Sequence, residues 1–277
     1  RPLVRRRDVD TAVRHAALTF GAAIALMPLL WMVSASFMAP GEASTLPLRA
    51  LPRRPTLEHY ATLFTRLDLA RHFLNSVVVT LAATLGSLLV TSLAGYGFAK
   101  LRFRGRDAMF RALALALVVP GQVGMLPLFL LLRELGLVNS YLGAMLPFFG
   151  SVYAIFLIRQ YALSVPDDLL DAARIDGAGE LRIFATIVLP LIKPILVTLA
   201  AYTFMAAWND FLWPLIILSD SAKYTLPVAL ASLVGEHVQD TELMMAGAVV
   251  TVLPALGVFL AIQRHYVRGI MAGSVKG

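Results

Sequence analysis

Apolar residues run along this chain in blocks far longer than a soluble core requires, and charged residues fall in the gaps between them. The first block runs from Ala16 to Phe37. Others cover about Phe73–Phe98, Ala108–Leu132, Tyr141–Tyr161, Leu189–Leu218 and Leu243–Ile262. A helix needs about 20 mostly apolar residues to cross a bilayer, so each block predicts a membrane-spanning helix. The first block follows a basic stretch, as a cleaved signal peptide would, and Ser34-Ala35-Ser36 is small enough to be cut. At about 22 residues it exceeds the usual 7–15 of a signal core, so it reads as an uncleaved first helix.

The interruptions carry their own information. Small residues (Ala82, Ala83, Gly86, Ser87, Ser92, Ala94, Gly95, Gly97) recur along the second block, where they let helix backbones approach closely. Pro120-Gly121-Gln122 and Pro127 break the third block, and Pro147 and Gly150 lie inside the fourth. Backbone freed by proline in a membrane is tolerated only against protein or a wet cavity. The main polar gap is Asp167–Pro194. Ser164 and Asp167 stand three apart around Pro166, a capping-box start; Gly177 follows Asp176, where a left-handed residue ends a helix. Leu181, Phe184, Ile187 and Val188 predict a second helix, with Leu189-Pro190 as the joint into the fifth span. The whole is a helical hairpin with Gly177 at its corner.

Composition agrees with this class. Of 277 residues 58% are hydrophobic and 15% charged, against about a quarter charged in soluble domains. There is no cysteine, which excludes disulfides and thiolate chemistry. The net charge of +7 sits in clusters at block ends, the pattern of topology signals rather than of a nucleic-acid partner. Six spans place both termini on one side, and 17 Lys and Arg then fall inside against 7 outside, which supports cytoplasmic termini. Five of those outside are arginines between 39 and 71, an exception to the rule. The expected organisation is a cytoplasmic N-terminus (1–15), a first transmembrane helix (16–37), an external loop (38–71), a transmembrane core (72–265) and a cytoplasmic tail (266–277). Residues 219–242 form a further external loop inside that core.

Asp171-Ala172-Ala173-Arg174-Ile175-Asp176-Gly177-Ala178, followed by Ile187-Val188-Leu189-Pro190, resembles the "EAA" loop of permease subunits of bacterial ABC importers. Asp171 stands where that family has Glu. Asn75-Ser76, Trp208-Asn209-Asp210-Phe211-Leu212-Trp213-Pro214 and the terminal Ala272–Gly277 are similar to the second permease of the maltose-transporter type. The resemblance spans about residue 10 to the end. It implies an all-α membrane protein of six transmembrane helices with the type I ABC importer permease fold, in a bacterial cytoplasmic (inner) membrane. The loop 164–190 would then couple the chain to ATPase subunits. Leu169 and Leu170 would give apolar contact, Ala172 and Ala173 close packing, and Asp171 and Arg174 ion pairs at the rim. Asp176, Gly177 and Ala178 would form the corner, and Leu189 and Pro190 the joint.

The resemblance also implies partners: a second homologous permease, two cytoplasmic ATPase subunits and an external solute-binding protein, periplasmic or lipid-anchored. ATP and Mg would be held by the ATPases, and this chain would bind no cofactor. The sequence contains no G-x-x-x-x-G-K-[ST] phosphate cradle. It shows no local catalytic signature, and its five histidines are scattered, against a metal site. The cargo implied is a sugar. Gln122, Phe149, Tyr153, Trp208, Asn209, Asp210 and Trp213 are candidates for its path, with Asn209 and Asp210 to hydrogen-bond sugar hydroxyls and the aromatics to stack on the ring; the more conservative reading is helix or subunit packing, or an interfacial belt for the tryptophans. In the loop 219–242, Gly235, Glu236, His237, Gln239, Asp240 and Glu242 would reach toward the binding protein or simply connect spans. A different class, a stand-alone transporter using Asp210 as its ion site, rests on the cost of a carboxylate within a span.

Overall fold

The computed structural model describes residues 2–236 and 240–274, with side chains for 11–232, 240–261 and 263. Among the described residues the chain is helical, with no strand. The helices are α1 (Pro2–Ala35), α2 (Glu58–Thr65), α3 (Leu69–Lys100), α4 (Arg106–Ala116), α5 (Met125–Glu134), α6 (Tyr141–Phe149) and α7 (Val152–Leu163). They continue with α8 (Asp167–Ile175), α9 (Glu180–Ile183), α10 (Leu189–Leu191), α11 (Lys193–Trp208), α12 (Leu212–Ile217), α13 (Leu226–Glu236) and α14 (Thr241–Ser274). Three helices are long and apolar enough to cross a membrane: Thr11–Ala35, Leu69–Lys100 and Thr241–Ala261. Three bent pairs qualify as well, giving up to six spans if each pair is one.

Prolines stand at two of the three bends. Pro120 precedes a 3-10 turn over Gly121–Gly124, and the two arms there differ by 103°. The fourth span bends by 42° between α6 and α7, where Ser140 and Ser151 cap the two helix starts through Gly143 N–H and Ala154 N–H. The expected fifth span Leu189–Leu218 is not one helix. It turns by 81° at Ile192 and breaks again after Trp208. Pro194 cannot donate to the Pro190 carbonyl and its ring crowds that oxygen, so the helix restarts at Lys193. The expected loop 219–242 is also half helix. Leu226, Val228 and Ala229 of α13 are buried, so its apolar run follows packing rather than its connector length.

The chain divides into two compact units. One comprises residues 1–69 and 230–253. In it, the segment after α1 folds back on the helix end: the Trp31 indole N–H donates to the Arg49 carbonyl at 3.2 Å and Ser34 Oγ to that of Ala50 at 2.5 Å. Asp240 caps α14 through the Leu243 N–H at 2.9 Å. Glu242 is fully buried and accepts the Ala43 N–H at 2.6 Å.

The other unit comprises 70–229 and 254–277 and is organised on α3. One face of α3 buries Ser76, Thr80, Ala83, Thr84, Ser87 and Thr91, a spacing of three to four. A Cβ at Gly86 would enter the Phe149 ring, and one at Gly95 would lie 2.6 Å from Ile158, so the small residues do set the approach of α6 and α7. At the start of α3, Asn75 forms a polar knot. Its Nδ2 donates to the Ala222 and Tyr224 carbonyls at 3.0 Å each, and its Oδ1 accepts the Tyr141 hydroxyl at 2.7 Å. Ser76 Oγ beside it accepts the Leu226 N–H at 2.7 Å. Asn75→Ala leaves the Ala222 carbonyl and the Tyr141 hydroxyl without this partner, while the Tyr224 carbonyl keeps His72 Nδ1 at 3.1 Å, and is expected to destabilise the unit by about 1–3 kcal/mol. Thermal unfolding in detergent checks this; an unchanged midpoint would show the knot to be dispensable.

Candidate functional site

The hairpin begins where α7 ends. Ser164 does not cap α8; its Oγ donates back to the Tyr161 carbonyl at 2.7 Å and it closes α7. The residue before α8 is Pro166, which has no side-chain cap to offer, so the expected capping box is absent. Asp167 is turned instead toward α3. The Lys100 ammonium, its side chain only 5% exposed, donates to Asp167 Oδ1 and to the Val165 carbonyl, both at 2.6 Å. The Lys100 hydrogen bond holds the Asp167 carboxyl below the usual carboxylate range.

α8 ends as expected. Gly177 has φ +82°, its N–H donates to the Arg174 carbonyl at 3.0 Å, and the Ala178 N–H donates to that of Ala173 at 2.9 Å. This pair of bonds is a Schellman closure, which needs a left-handed residue at its centre. The chain then enters α9 and widens into a π-helical turn over Phe184–Val188, where the Leu189 N–H reaches Phe184 O. Pro190 has no N–H for the Thr186 carbonyl, and the wider turn moves that carbonyl aside. Helical backbone therefore passes through Leu189-Pro190, and the joint lies two residues later, at Ile192.

Arg174 ties the two arms of the hairpin. It donates to Asp171 Oδ1 at 2.7 Å and through Nε to Glu180 Oε1 at 2.8 Å. Glu180 Oε2 also accepts the Tyr96 hydroxyl of α3 at 2.5 Å. The Arg174 guanidinium first, and the Tyr96 hydroxyl after it, pull the Glu180 carboxyl below its ordinary range. Tyr96 and Lys100 are one turn apart on α3, so a single helix end grips both arms. Below them, Leu170 is buried to 1% with Val165, Ile183, Phe184, Val188 and Ile192. Leu170→Ala is expected to cost about 2–5 kcal/mol, read as loss of unfolding cooperativity or midpoint in detergent. A shift under a few tenths of a kcal/mol would mean α8 is not seated by this side chain.

The outward face is mixed: among the exposed Asp168, Asp171, Asp176 and Arg182 stand several apolar side chains. Leu169 is 48% exposed, Ile175 87% and Leu181 75%, and Ala172 is exposed between them. Of the two leucines expected at the surface, Leu170 points inward. Of the two alanines, Ala173 packs against the core and Ala172 does not. Asp171 and Arg174 are engaged with each other rather than left open at a rim. Sequence reasoning missed Ile175 and Leu181 as surface groups, and Tyr96 and Lys100 as anchors. Their only trace was a four-residue spacing before the basic loop, which read as a topology signal.

Most of the residues proposed for a substrate path are engaged in packing or in local hydrogen bonds, and Phe149 packs in the same cluster as Trp213. Trp208 is buried to 1% between Phe73 and Phe204, and Trp213 to 3%, its indole N–H donating to the Gly143 carbonyl at 3.0 Å. Asn209 Nδ2 closes α11 on the Met205 carbonyl at 2.8 Å, and Asp210 Oδ1 accepts the Trp213 N–H at 3.4 Å. Phe149 fills the space over Gly86. Tyr153 is 45% exposed and packs against Tyr202 at 5.4 Å, and Gln122 is exposed on the 3-10 turn. His237 and Gln239 lie outside the described residues, as do Val275, Lys276 and Gly277. Among the described residues no group of three or more His, Asp or Glu is placed to hold a metal.

Residues 82–271 match the family described as "Binding-protein-dependent transport system inner membrane component". The chain belongs to this family. It is a permease component of an ABC transport system in an inner membrane. It is 38% identical to the arabinooligosaccharides transport system permease protein AraQ of Halalkalibacterium halodurans, covering 93% of this chain and 94% of that protein. It is 34% identical to the lactose transport system permease protein LacG of Rhizobium radiobacter, covering 98% of each. Among solved structures it superposes on a chain of a bacterial ABC transporter involved in import of the acidic polysaccharide alginate. The TM-score is 0.81 at 25% identity, covering 94% of this chain and 97% of that one.

Proposed function

We propose that this permease is one half of the pore of an ATP-driven importer that brings a sugar into the cytoplasm by alternating access. The observation that carries the reading is the hairpin 167–190. It presents exposed Leu169, Ala172, Ile175 and Leu181 while two ties, Lys100 to Asp167 and the Tyr96 hydroxyl to Glu180, fix it to the end of α3 and Arg174 joins its two arms. Apolar side chains held among charged ones on a rigid lever transmit motion without supplying energy. The sequence has no phosphate cradle of its own, so the energy comes from ATPase subunits that bind ATP and Mg and receive this face in a groove. The termini and the hairpin lie on the cytoplasmic side, in keeping with the 17-to-7 charge bias. A second, homologous permease completes the pore, and an external solute-binding protein delivers cargo, as the family description implies.

The sugar assignment rests on relatives named for arabinooligosaccharides and lactose. ATPase closure would draw the hairpins of the two permeases together and tilt the spans, a rigid-body switch of access. The test is reconstitution. This chain is co-expressed with the neighbouring permease and ATPases of its own source, purified through a tag on this chain, and placed in proteoliposomes with a binding protein. ATP-dependent uptake of a sugar supports the assignment. Purification of this chain alone with sugar uptake driven by an ion gradient would overturn it. That stand-alone reading gains nothing from Asp210, whose carboxylate is engaged in capping the turn before Trp213.

A further inference from the structure

The segment after α1 carries a feature separate from the hairpin. Residues 39–54 line an open, shallow pocket of about 700 Å³, with Gly41, Glu42, Thr45, Arg49, Arg53 and Arg54 among its walls. Glu42 is occupied by the backbone: Oε1 accepts the Arg53 N–H at 2.9 Å and Oε2 the Ala39 N–H at 3.2 Å. The Arg53 N–H bond, with Arg49 and Arg53 nearby, keeps its carboxyl below the usual range. Among the described residues none of Arg49, Arg53 and Arg54 forms a salt bridge. In the same loop Leu46, Leu48 and Leu51 are 88%, 65% and 76% exposed. The loop is pinned by Trp31 and Ser34 to the end of a helix apolar enough to span a membrane.

We propose that this loop clamps the headgroup of an anionic phospholipid in the leaflet at that end of α1. The guanidinium groups take the phosphate by charge-assisted, forked hydrogen bonds. The three leucines enter the acyl boundary beside Trp31, a residue type that prefers that depth. Two observations favour lipid over an acidic protein surface. Exposed leucines interleave with the arginines, and the loop is tied to the membrane helix itself. The clamp also accounts for the external arginines that run against the positive-inside rule, since three of the five lie in it.

The absence of native cysteine permits a clean test on the full chain. Leu48→Cys carries a nitroxide label, and its collisions with membrane-soluble oxygen and a water-soluble nickel chelate are compared. In vesicles of equal parts phosphatidylglycerol and phosphatidylcholine, the oxygen-to-nickel ratio is expected to exceed that in pure phosphatidylcholine several-fold. R49Q/R53Q/R54Q should remove the difference. A label that reads water in both vesicles overturns the proposal without needing the arginine variant to fold. So does a difference that survives the arginine changes, or shielding that appears only when purified binding protein is added.

Discussion

Gly177→Val is expected to abolish ATP-driven transport while leaving membrane insertion intact. The position has φ +82° and an added Cβ meets nothing within 4 Å, so the cost is conformational rather than a clash. An ordinary side chain in that region costs about 1–2 kcal/mol, and a β-branched one is a genuine outlier there. To avoid it the backbone gives up the bonds from Gly177 N–H to Arg174 and from Ala178 N–H to Ala173. The angle between α8 and α9 then changes, and Glu180 moves off Arg174. Global stability should fall little, because α8 remains seated by Leu170. The output of the lever should fall greatly, because the face containing Ile175 is re-aimed. Gly177→Asn is expected to retain much of the activity, since Asn tolerates the left-handed region. The readouts are sugar uptake and uptake-coupled ATP hydrolysis in the reconstituted complex. A Val variant that transports at the wild-type rate would show that the corner does not carry coupling.

Much of the architecture was legible because bilayer-length apolar runs are hard to disguise. Three blocks return as straight spans and two as bent pairs, while the fifth is shifted, its bent pair covering Glu180–Trp208 rather than Leu189–Leu218. The corner was legible too, since a glycine after a short polar helix has few other uses. Proline was not a reliable guide. Pro28, Pro147 and Pro254 lie inside helices, whereas Pro120 and Pro194 stand at breaks. A proline removes one donor, and whether the helix then bends depends on what packs beside the freed carbonyl. Facing was the least legible property. Leu169 and Leu170 are adjacent and equally apolar, so hydropathy alone does not say which of them turns inward on α8. It likewise did not show that Trp208 and Trp213, read as ring-stacking candidates, are enclosed by their own neighbours. Nor did it separate Lys100 as a topology signal from Lys100 as an anchor, since the same ammonium does both.

That anchor leads to the second large effect, at Arg174. Arg174→Leu is expected to leave the fold in place and cut coupled transport severely. Each of its ion pairs is partly exposed, and such pairs contribute about 0.2–1 kcal/mol each. What is lost is geometric: no other described side chain bonds to both Asp171 on α8 and Glu180 on α9. Glu180 would keep only Tyr96, and the two arms would pivot independently about Gly177. The same reasoning fixes the pH dependence. Glu180 and Asp167 both have folded pKa values held below their free values. Their ties therefore contribute fully above about 5, clear of the range where free carboxylates titrate, and are lost as pH falls through the lower folded values. The hairpin should hold one geometry from neutral pH down to about 5 and loosen only in stronger acid. Glu180→Gln should weaken the tie at neutral pH and blunt its loss in acid. Spin labels on Asp168→Cys and Arg104→Cys, in this cysteine-free chain, report the distance between hairpin and helix-end loop. A broad distribution in Arg174→Leu beside a narrow one in the wild type is the expected result. Equal widths would mean that Arg174 decorates the hairpin rather than setting it, and that rigidity comes from the Leu170 packing alone.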